Sequence, residues 1–152
     1  MKKKIILWLV VILWMGLIFY FSSKNAEEST NQSQGLINKT SIVDMYDKET
    51  EEEKTEVLEA VDKRVRKVAH AIVFMVLAIL VCIALNEYNL DIKKLLLIAF
   101  IICFLYACSD EIHQLYVFGR SGEVRDVIID NIGCLFGYLV FYLFKRRRLK
   151  YD

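Results

Sequence analysis

Four long apolar runs, separated by charged segments, constrain the fold of this chain more than any other feature. They are Ile5–Phe21, Val68–Leu85, Leu95–Cys108 and Val127–Phe144. A helix crosses the hydrocarbon core with about 20 apolar residues, or about 17 at the short end, so each run is long enough once its flanks are included. Because the bilayer interior offers no water to backbone N–H and C=O groups, such segments must be helical. The sequence therefore predicts an all-α fold, a four-helix transmembrane bundle.

The spans predicted in this way cover residues 5–21, 68–85, 95–117 and 127–144, the third continuing as a helix through its polar end. Hydrophobic residues make up 56% of the chain and charged residues 26%, and they are segregated instead of alternating as they would in a soluble domain. The first run exceeds the apolar core of about 7–15 residues typical of a signal peptide, so an uncleaved span is expected. The length of 152 residues favours one domain over residues 1–152. The net charge of +1 gives no general attraction for nucleic acid.

The four cysteines lie inside the apolar runs, at Cys82, Cys103, Cys108 and Cys134. Their spacing is not that of a zinc site, and none lies in a polar loop where a disulfide would be expected. They are interpreted as small packing residues with free thiols. The sequence therefore predicts neither a metal site nor a cofactor.

The distribution of Lys and Arg predicts the orientation in the membrane. The amino end carries Lys2–Lys4, the loop 86–94 carries two lysines, and the tail 145–152 carries five basic residues. The loop 22–67 holds eight basic residues, but it is long and also holds eleven acidic ones. Both termini are therefore predicted to be cytoplasmic, with loops 22–67 and 109–126 outside. A basic cluster before the second span opposes this orientation, so that either the orientation is inverted or the cluster is kept for a function. Its members are Lys63, Arg64, Arg66 and Lys67.

The long loop 22–67 is predicted to end in an amphipathic helix that runs into the second span. Thr50 followed by Glu53 resembles a capping box. Four valines then recur at helical spacing, and two ion pairs at i,i+4 are possible, Glu59–Lys63 and Asp62–Arg66. The simplest interpretation of these charges is a solvated helix face.

Polar residues also gather at the predicted outer ends of the second and third spans. Arg66 and His70 are four residues apart and share a helix face, and His70 lies inside an apolar run, so it is expected to face the bundle. Asp110 and Glu111 are adjacent and cannot share a face, so one is expected to point inward and the other sideways. A carboxylate at the centre of a membrane helix costs about 2.5–3.5 kcal/mol, and less near the interface, which implies a partner.

The fourth span places Asp126, Asp130, Gly133 and Gly137 on one face. The GxxxG spacing of the glycines indicates close helix packing, which draws the two carboxylates into the bundle. The preceding segment, 119–122 (Gly-Arg-Ser-Gly), suits a tight turn that presents a guanidinium to an anion. A structural ion pair of Asp130 with Arg66 or Arg120 and a functional site are equally compatible with this pattern.

The topology brings these groups to one face of the bilayer, which suggests a site for an amphiphile whose head group lies at the interface. Arginines are suited to bind a phosphate or carboxylate, and a histidine beside carboxylates is suited to acid–base chemistry. The candidate acid–base residues are His70, Asp110, Glu111 and Asp130. The candidate ligand-binding residues are Arg66, Lys67, Gln114, Arg120 and Asp126.

The ordered set of motifs resembles the VanZ-like family. The matching segments are 21–23 (Phe-Ser-Ser), Lys67 with His70, 110–114 (Asp-Glu-Ile-His-Gln), 119–122, and Asp126 with Asp130 and Gly133. Phe118 stands where the family often has proline, and the outer loop is longer and more charged than expected. The resemblance implies a cell-envelope membrane protein associated with low-level resistance to the glycopeptide teicoplanin, which carries an acyl chain and acts at the outer membrane face.

Three hypotheses follow for the function. In the first, the protein binds an amphiphile, meaning a membrane lipid, a lipid-linked cell-wall intermediate or the lipoglycopeptide itself. In the second, it is a membrane enzyme that modifies a lipid head group with the histidine, carboxylate and arginine residues. In the third, the polar residues form structural ion pairs between helices.

Overall fold

The computed structural model describes residues 1–23, 51–117 and 123–151. They form four helices, which we number in chain order. These are α1 (Lys2–Ser22), α2 (Glu51–Asn86), α3 (Ile92–Gln114) and α4 (Val124–Tyr151). Each contains a segment long and apolar enough to cross a membrane, and these segments are Lys2–Ser22, Lys63–Asn86, Ile92–Gln114 and Val124–Arg147. The prediction of an all-α, multi-pass transmembrane bundle is confirmed.

The helix α2 begins well before its membrane segment, as the valine spacing predicts. It runs without interruption from Glu51 to Asn86. The predicted capping residue Thr50 lies outside the described residues, as do the side chains of Glu59 and Asp62. The extension of the helix is therefore confirmed, whereas its cap and its i,i+4 ion pairs stay predictions.

The third helix ends three residues earlier than predicted. Asp91 caps its start, since the carboxylate accepts a hydrogen bond from the N–H of Lys93 at 3.1 Å. At the other end, the chain leaves the helix after Gln114 through turns in which each N–H donates to the carbonyl three residues earlier. The prediction that the helix continues to Val117 is wrong, because the chain tightens here and returns toward the start of α4.

The packing of α2 against α4 is the most extensive helix contact in the bundle. A Cβ atom built on Gly133 would lie 2.1 Å from the carbonyl oxygen of Ala71, and one on Gly137 would lie 2.5 Å from that of Met75. Only glycine therefore permits this approach of the two backbones, and the predicted GxxxG packing is confirmed.

The interior is built from α2 and α3 with contributions from the other two helices. Phe74, Leu77 and Val81 of α2 and Leu95 of α3 are fully buried. Among the four cysteines, three are buried and Cys108 is half-buried, and all are free thiols, as predicted. Many large apolar side chains on the outside of every helix are exposed, which is the surface expected for contact with lipid.

The helix α1 is attached to the others by side-chain hydrogen bonds to backbone carbonyls. The indole Nε1–H of Trp14 donates to the carbonyl of Val73 at 2.9 Å, and the hydroxyl of Tyr106 donates to the carbonyl of Met15 at 2.5 Å. These bonds fix how α1 is rotated against α2 and α3. They therefore decide which residues of α1 face the interior at its last turn.

The two ends of the bundle differ in chemistry. At the end that holds the start of α1 and the α2–α3 turn, Lys3 pairs with Glu87 at 2.7 Å, and Lys145 donates to Asn86 at 2.8 Å. Trp8 donates to the hydroxyl of Tyr88 at 3.1 Å, in the manner of aromatic residues at a membrane interface. The opposite end holds nearly all of the predicted site residues.

Candidate functional site

The polar end of the bundle is formed where α1 and α3 finish and where the membrane segments of α2 and α4 begin. We use "polar end" for the side chains that meet there, and all four helices contribute. Its described members are Ser22, Lys67, His70, Asp110, Glu111, Gln114, Glu123, Asp126 and Asp130. The predicted convergence of the second, third and fourth spans is therefore seen, with α1 as an additional contributor.

Asp110 is the carboxylate through which α1 reaches the polar end. Its side chain is 0% exposed, and its Oδ2 accepts a hydrogen bond at 3.1 Å from the hydroxyl of Ser22, which is also fully buried. Sequence reasoning did not select Ser22 as a site residue. The signals for it in the sequence were its place at the end of an apolar run and its membership of the segment 21–23, which resembles the VanZ-like family.

Gln114 holds the two adjacent carboxylates of α3 together. Its amide Nε2 donates to Oδ2 of Asp110 at 3.2 Å and to Oε1 of Glu111 at 3.0 Å. An amide carries two N–H donors, so one side chain serves both acceptors. Gln114 was predicted to bind a ligand. In the structure its amide donates to two carboxylates of the protein itself.

Glu111 is buried as well as Asp110, although the sequence predicted that one of the two points sideways. Its Oε2 accepts the backbone N–H of Glu123 at 3.0 Å, just before α4 begins. The two carboxylates do lie on different faces, because Asp110 meets α1 and Glu111 meets the segment leading into α4. Both faces of α3 are covered here, so neither carboxylate reaches the surface.

His70, which is half-buried, and Asp130, which is fully buried, meet between α2 and α4. Nδ1 of His70 lies 3.6 Å from Oδ1 of Asp130, whose side chain is 1% exposed. His70 is also close enough to Asp110 for a favourable electrostatic interaction, whereas Asp110 and Asp130 are close enough to repel each other. The three residues therefore form one group that draws on α2, α3 and α4. Sequence reasoning named Arg66 or Arg120 as the structural partner of Asp130, and the described contact is with His70.

Two carboxylate oxygens in this group have no hydrogen-bond partner among the residues that the structure describes. They are Oδ1 of Asp110 and Oδ2 of Asp130. A buried polar atom left without a partner costs about 1–3 kcal/mol, and more when the group is charged. Purely structural ion pairs would not be expected to leave one oxygen of each carboxylate unsatisfied.

Lys67 forms ion pairs at the rim of the polar end. Its ammonium donates to Oδ1 of Asp126 and lies 3.5 Å from Oε2 of Glu123, while Lys63 lies 3.9 Å from Oε1 of Glu123. Lys67, and then Lys63, hold the pKa of the Glu123 carboxyl below its ordinary value, so Glu123 stays ionised at neutral pH. Part of the basic cluster that opposed the predicted orientation is thus matched by acidic residues.

The predicted site includes two arginines, Arg66 and Arg120. Arg120 and the glycines around it lie in 118–122, outside the described residues. Arg66 lies on α2 and is half-buried at the same end of the bundle. The role of both arginines in binding an anion therefore stays a prediction.

Ser23 and His113 form a second polar contact that sequence reasoning did not select. Oγ of Ser23 lies 3.0 Å from Nε2 of His113 and 2.6 Å from the carbonyl oxygen of Phe19. A carbonyl cannot donate, so the single hydroxyl hydrogen of Ser23 goes to Phe19, and Nε2–H of His113 donates to Ser23. The histidine is not placed to accept the proton of this serine, which is what a nucleophilic serine requires.

The polar end combines one histidine–carboxylate contact with buried acceptor oxygens. An imidazole beside a buried carboxylate is a known acid–base arrangement, but 3.6 Å between His70 and Asp130 exceeds hydrogen-bond range. Within residues 1–23, 51–117 and 123–151, no group of three or more His, Cys, Asp or Glu residues is placed to hold a metal ion. Oδ1 of Asp110 and Oδ2 of Asp130 remain available as hydrogen-bond acceptors among the described residues.

Comparison with known families covers nearly the whole chain. The VanZ/LLP1 family model matches residues 7–145, from the first turns of α1 to the last membrane turns of α4. The chain belongs to the VanZ/LLP1 family. The match includes every predicted site residue of this VanZ/LLP1 protein. A search of curated proteins and a search of solved structures find no match.

Proposed function

We propose that this VanZ/LLP1 protein binds an amphiphile at the polar end of its bundle and thereby lowers the susceptibility of the cell to teicoplanin. The amphiphile is a membrane lipid, a lipid-linked cell-wall intermediate or the lipoglycopeptide itself. One observation carries the binding part of the proposal: Asp110 and Asp130 are buried at this end, and each has an oxygen without a partner among the described residues. The teicoplanin part is supported by membership of the VanZ/LLP1 family. A bound head group with hydrogen-bond donors would satisfy both.

The surroundings of the polar end suit the tail of an amphiphile. Ile112, Leu115 and Tyr116, on the last turn of α3 and just beyond it, are 57%, 61% and 85% exposed. Exposed apolar side chains beside a buried polar group provide the two environments that an amphiphile needs. The tail would lie along these residues in the lipid while the head group enters the bundle.

The outer face of the membrane is the proposed location of this site, with both termini in the cytoplasm. The opposite end of the bundle carries Lys2–Lys4, Lys93, Lys94 and the basic residues that end α4, as expected for the cytoplasmic side. The basic residues that begin the second span weigh less against this orientation, because Lys63 and Lys67 pair with Glu123 and Asp126.

Cysteine labelling in intact cells tests this orientation. In a Cys108→Ser background, Lys63→Cys is expected to react with a membrane-impermeant maleimide in intact cells, because the Lys63 side chain lies at the polar end beside Glu123 and is 62% exposed. Lys94→Cys, at the opposite end, is expected to react only after lysis. Labelling of Lys94→Cys alone in intact cells would reverse the orientation and remove the polar end from the outer face.

The proposed function is tested by expression in a glycopeptide-sensitive host. The minimal inhibitory concentration of teicoplanin is expected to rise at least fourfold, and that of vancomycin, the comparison glycopeptide, to stay unchanged. An equal shift for both antibiotics, or no shift for either at a verified membrane level of the protein, would refute the proposal. The Gly16→Ala protein serves as a matched control, because a Cβ built on Gly16 meets nothing within 4 Å beyond its chain neighbours and the adjacent backbone of its own helix.

A further inference from the structure

The deep layer of the polar end has more acceptor oxygens than donors. By "deep layer" we mean Ser22, His70, Asp110, Gln114 and Asp130. The described donors to Asp110, from Ser22 and Gln114, both reach Oδ2, and the contact of His70 with Asp130 is made at Oδ1. An ionised carboxylate offers about four acceptor positions, so the two carboxylates have capacity for further N–H or O–H groups.

The charge of the deep layer favours a positively charged ligand group. Lys67 pairs at the rim with Asp126 and Glu123. Asp110 makes no ion pair within 4.0 Å in the described part of the chain, and the described ion pair of Asp130 is with His70, a cation only when protonated. An incoming group that adds positive charge together with donors would complement this layer, and an anionic group would be repelled.

The floor of the deep layer is closed by aromatic rings. The centroid of the Phe74 ring lies 6.2 Å from that of His70 and 5.8 Å from that of Tyr106. Phe74 is fully buried. A polar head group therefore has no continuation into the apolar core and stops at the level of Asp110 and Asp130.

We propose that the deep layer binds the primary ammonium group of an amphiphile, with N–H donors on Oδ1 of Asp110 and Oδ2 of Asp130. This inference rests on the proposed function, in that it names the chemical class of the ligand bound at the same site. A primary ammonium supplies three N–H donors and one positive charge. A hydroxyl supplies one donor and no charge, and a quaternary ammonium supplies charge but no donor. The number of N–H groups on the head group is therefore what the site distinguishes.

Competition between lipids that differ only in N-methylation tests this inference. The purified full-length protein is offered equal amounts of phosphatidylethanolamine, its N-methyl and N,N-dimethyl derivatives, and phosphatidylcholine, all with the same acyl chains. Native mass spectrometry then measures which lipids stay bound. Retention is expected to fall at each methylation, with at least a tenfold preference for the ethanolamine lipid over the choline lipid. A long-chain alkylamine is offered in a separate arm, and displacement of the ethanolamine lipid by it shows that the amine, and not the phosphate, is recognised.

Variants decide whether the two carboxylates cause the preference. The Asp110→Asn/Asp130→Asn protein is expected to retain the ethanolamine and choline lipids equally. The Asp91→Asn protein is the matched control, because Asp91 caps α3 at the opposite end and asparagine is an equally good cap. It is expected to keep the full preference. Equal retention of all four lipids by the wild-type protein, or a preference that survives in the double variant, would overturn the inference.

The outcomes also separate this inference from the proposed function. If the amine preference is found and depends on Asp110 and Asp130, but teicoplanin susceptibility does not change on expression, the ligand assignment stands and the proposed function fails. If expression protects against teicoplanin and the lipids are retained without regard to methylation, the proposed function stands and the ammonium site is overturned.

Discussion

Replacement of Gly133 by alanine is expected to abolish accumulation of the folded protein. The added Cβ would lie 2.1 Å from the carbonyl oxygen of Ala71 and 2.8 Å from its carbonyl carbon. These are backbone atoms, so no rotamer change relieves the overlap and α2 must move away from α4. Overpacking that forces side-chain and backbone shifts costs about 1–3 kcal/mol and occasionally more, and this overlap with backbone atoms belongs at the upper end. Size-exclusion chromatography in detergent is expected to show aggregate in place of the monodisperse peak.

Alanine substitutions at two other glycines provide comparisons for the effect of Gly133→Ala on Tm. Gly137→Ala would meet the carbonyl oxygen of Met75 at 2.5 Å and Cβ of Ala78 at 2.9 Å, so it is expected to lower Tm by less than Gly133→Ala. Gly16→Ala has open space around the added atom and is expected to keep the wild-type Tm. A Gly133→Ala protein with the wild-type Tm would contradict the described approach of α2 to α4.

Replacement of Gln114 by glutamate is expected to have the second largest effect. The amide donates to both Asp110 and Glu111, and all three side chains are buried. The substitution removes both N–H donors and places a third carboxylate between the two already present. Breaking a buried, charged hydrogen-bond network in this way costs about 3–5 kcal/mol. Thermal unfolding in detergent is expected to show a Tm lower by at least about 10 °C, or no folded protein.

A second substitution is expected to rescue this variant. In the Glu111→Gln/Gln114→Glu protein, the amide and one carboxylate exchange positions and the number of charges returns to that of the wild type. The oxygen of the amide introduced at position 111 still accepts the N–H of residue 123, and its nitrogen donates to the carboxylate introduced at position 114. The double variant is therefore expected to recover part of the lost Tm. A double variant no more stable than Gln114→Glu alone would exclude the described role of the amide.

The four spans were predictable because membrane helices are set by hydropathy and length alone. The polar end was predictable in outline for a related reason. Consecutive spans cross the membrane in opposite directions. The start of the second span, the end of the third and the start of the fourth therefore lie on the same side. The close packing at Gly133 and Gly137 followed from the GxxxG spacing and is seen as a contact of α4 with the carbonyl groups of α2.

The partners of the charged residues were less predictable. Sequence reasoning considered Arg66 or Arg120 beside Asp130, whereas the described contact is with His70, and Lys67 pairs with Asp126. Which cation meets which carboxylate depends on how each helix is rotated about its axis, and that rotation is set by packing of the whole bundle. The contribution of α1 through Ser22 was missed for the same reason.

The ion pairs at the rim also bear on why basic residues begin the second span on the proposed outer side. The positive-inside rule counts the Lys and Arg residues of each side, and it does not consider the acidic residues with which they pair. Lys63 and Lys67 are bound to acidic residues of the segment that leads into α4 and of its first turn. Their pairing reduces the net positive charge that this side carries. Lys63 and Lys67 thus belong to the polar end. The basic cluster is a weaker indication of orientation than a count of its Lys and Arg residues alone would suggest.

Asp110 and Asp130 are proposed to serve a ligand and not the fold. The most direct measurement is the protection against teicoplanin given by the Asp110→Asn/Asp130→Asn protein at a membrane level matched to the wild type. Protection is expected to be lost while Tm in detergent is unchanged or higher, because two buried carboxylates, each with an unsatisfied oxygen among the described contacts, are replaced by neutral amides of the same shape. Full protection by the double variant, or a loss of protection accompanied by a matching loss of folded protein, would contradict the claim.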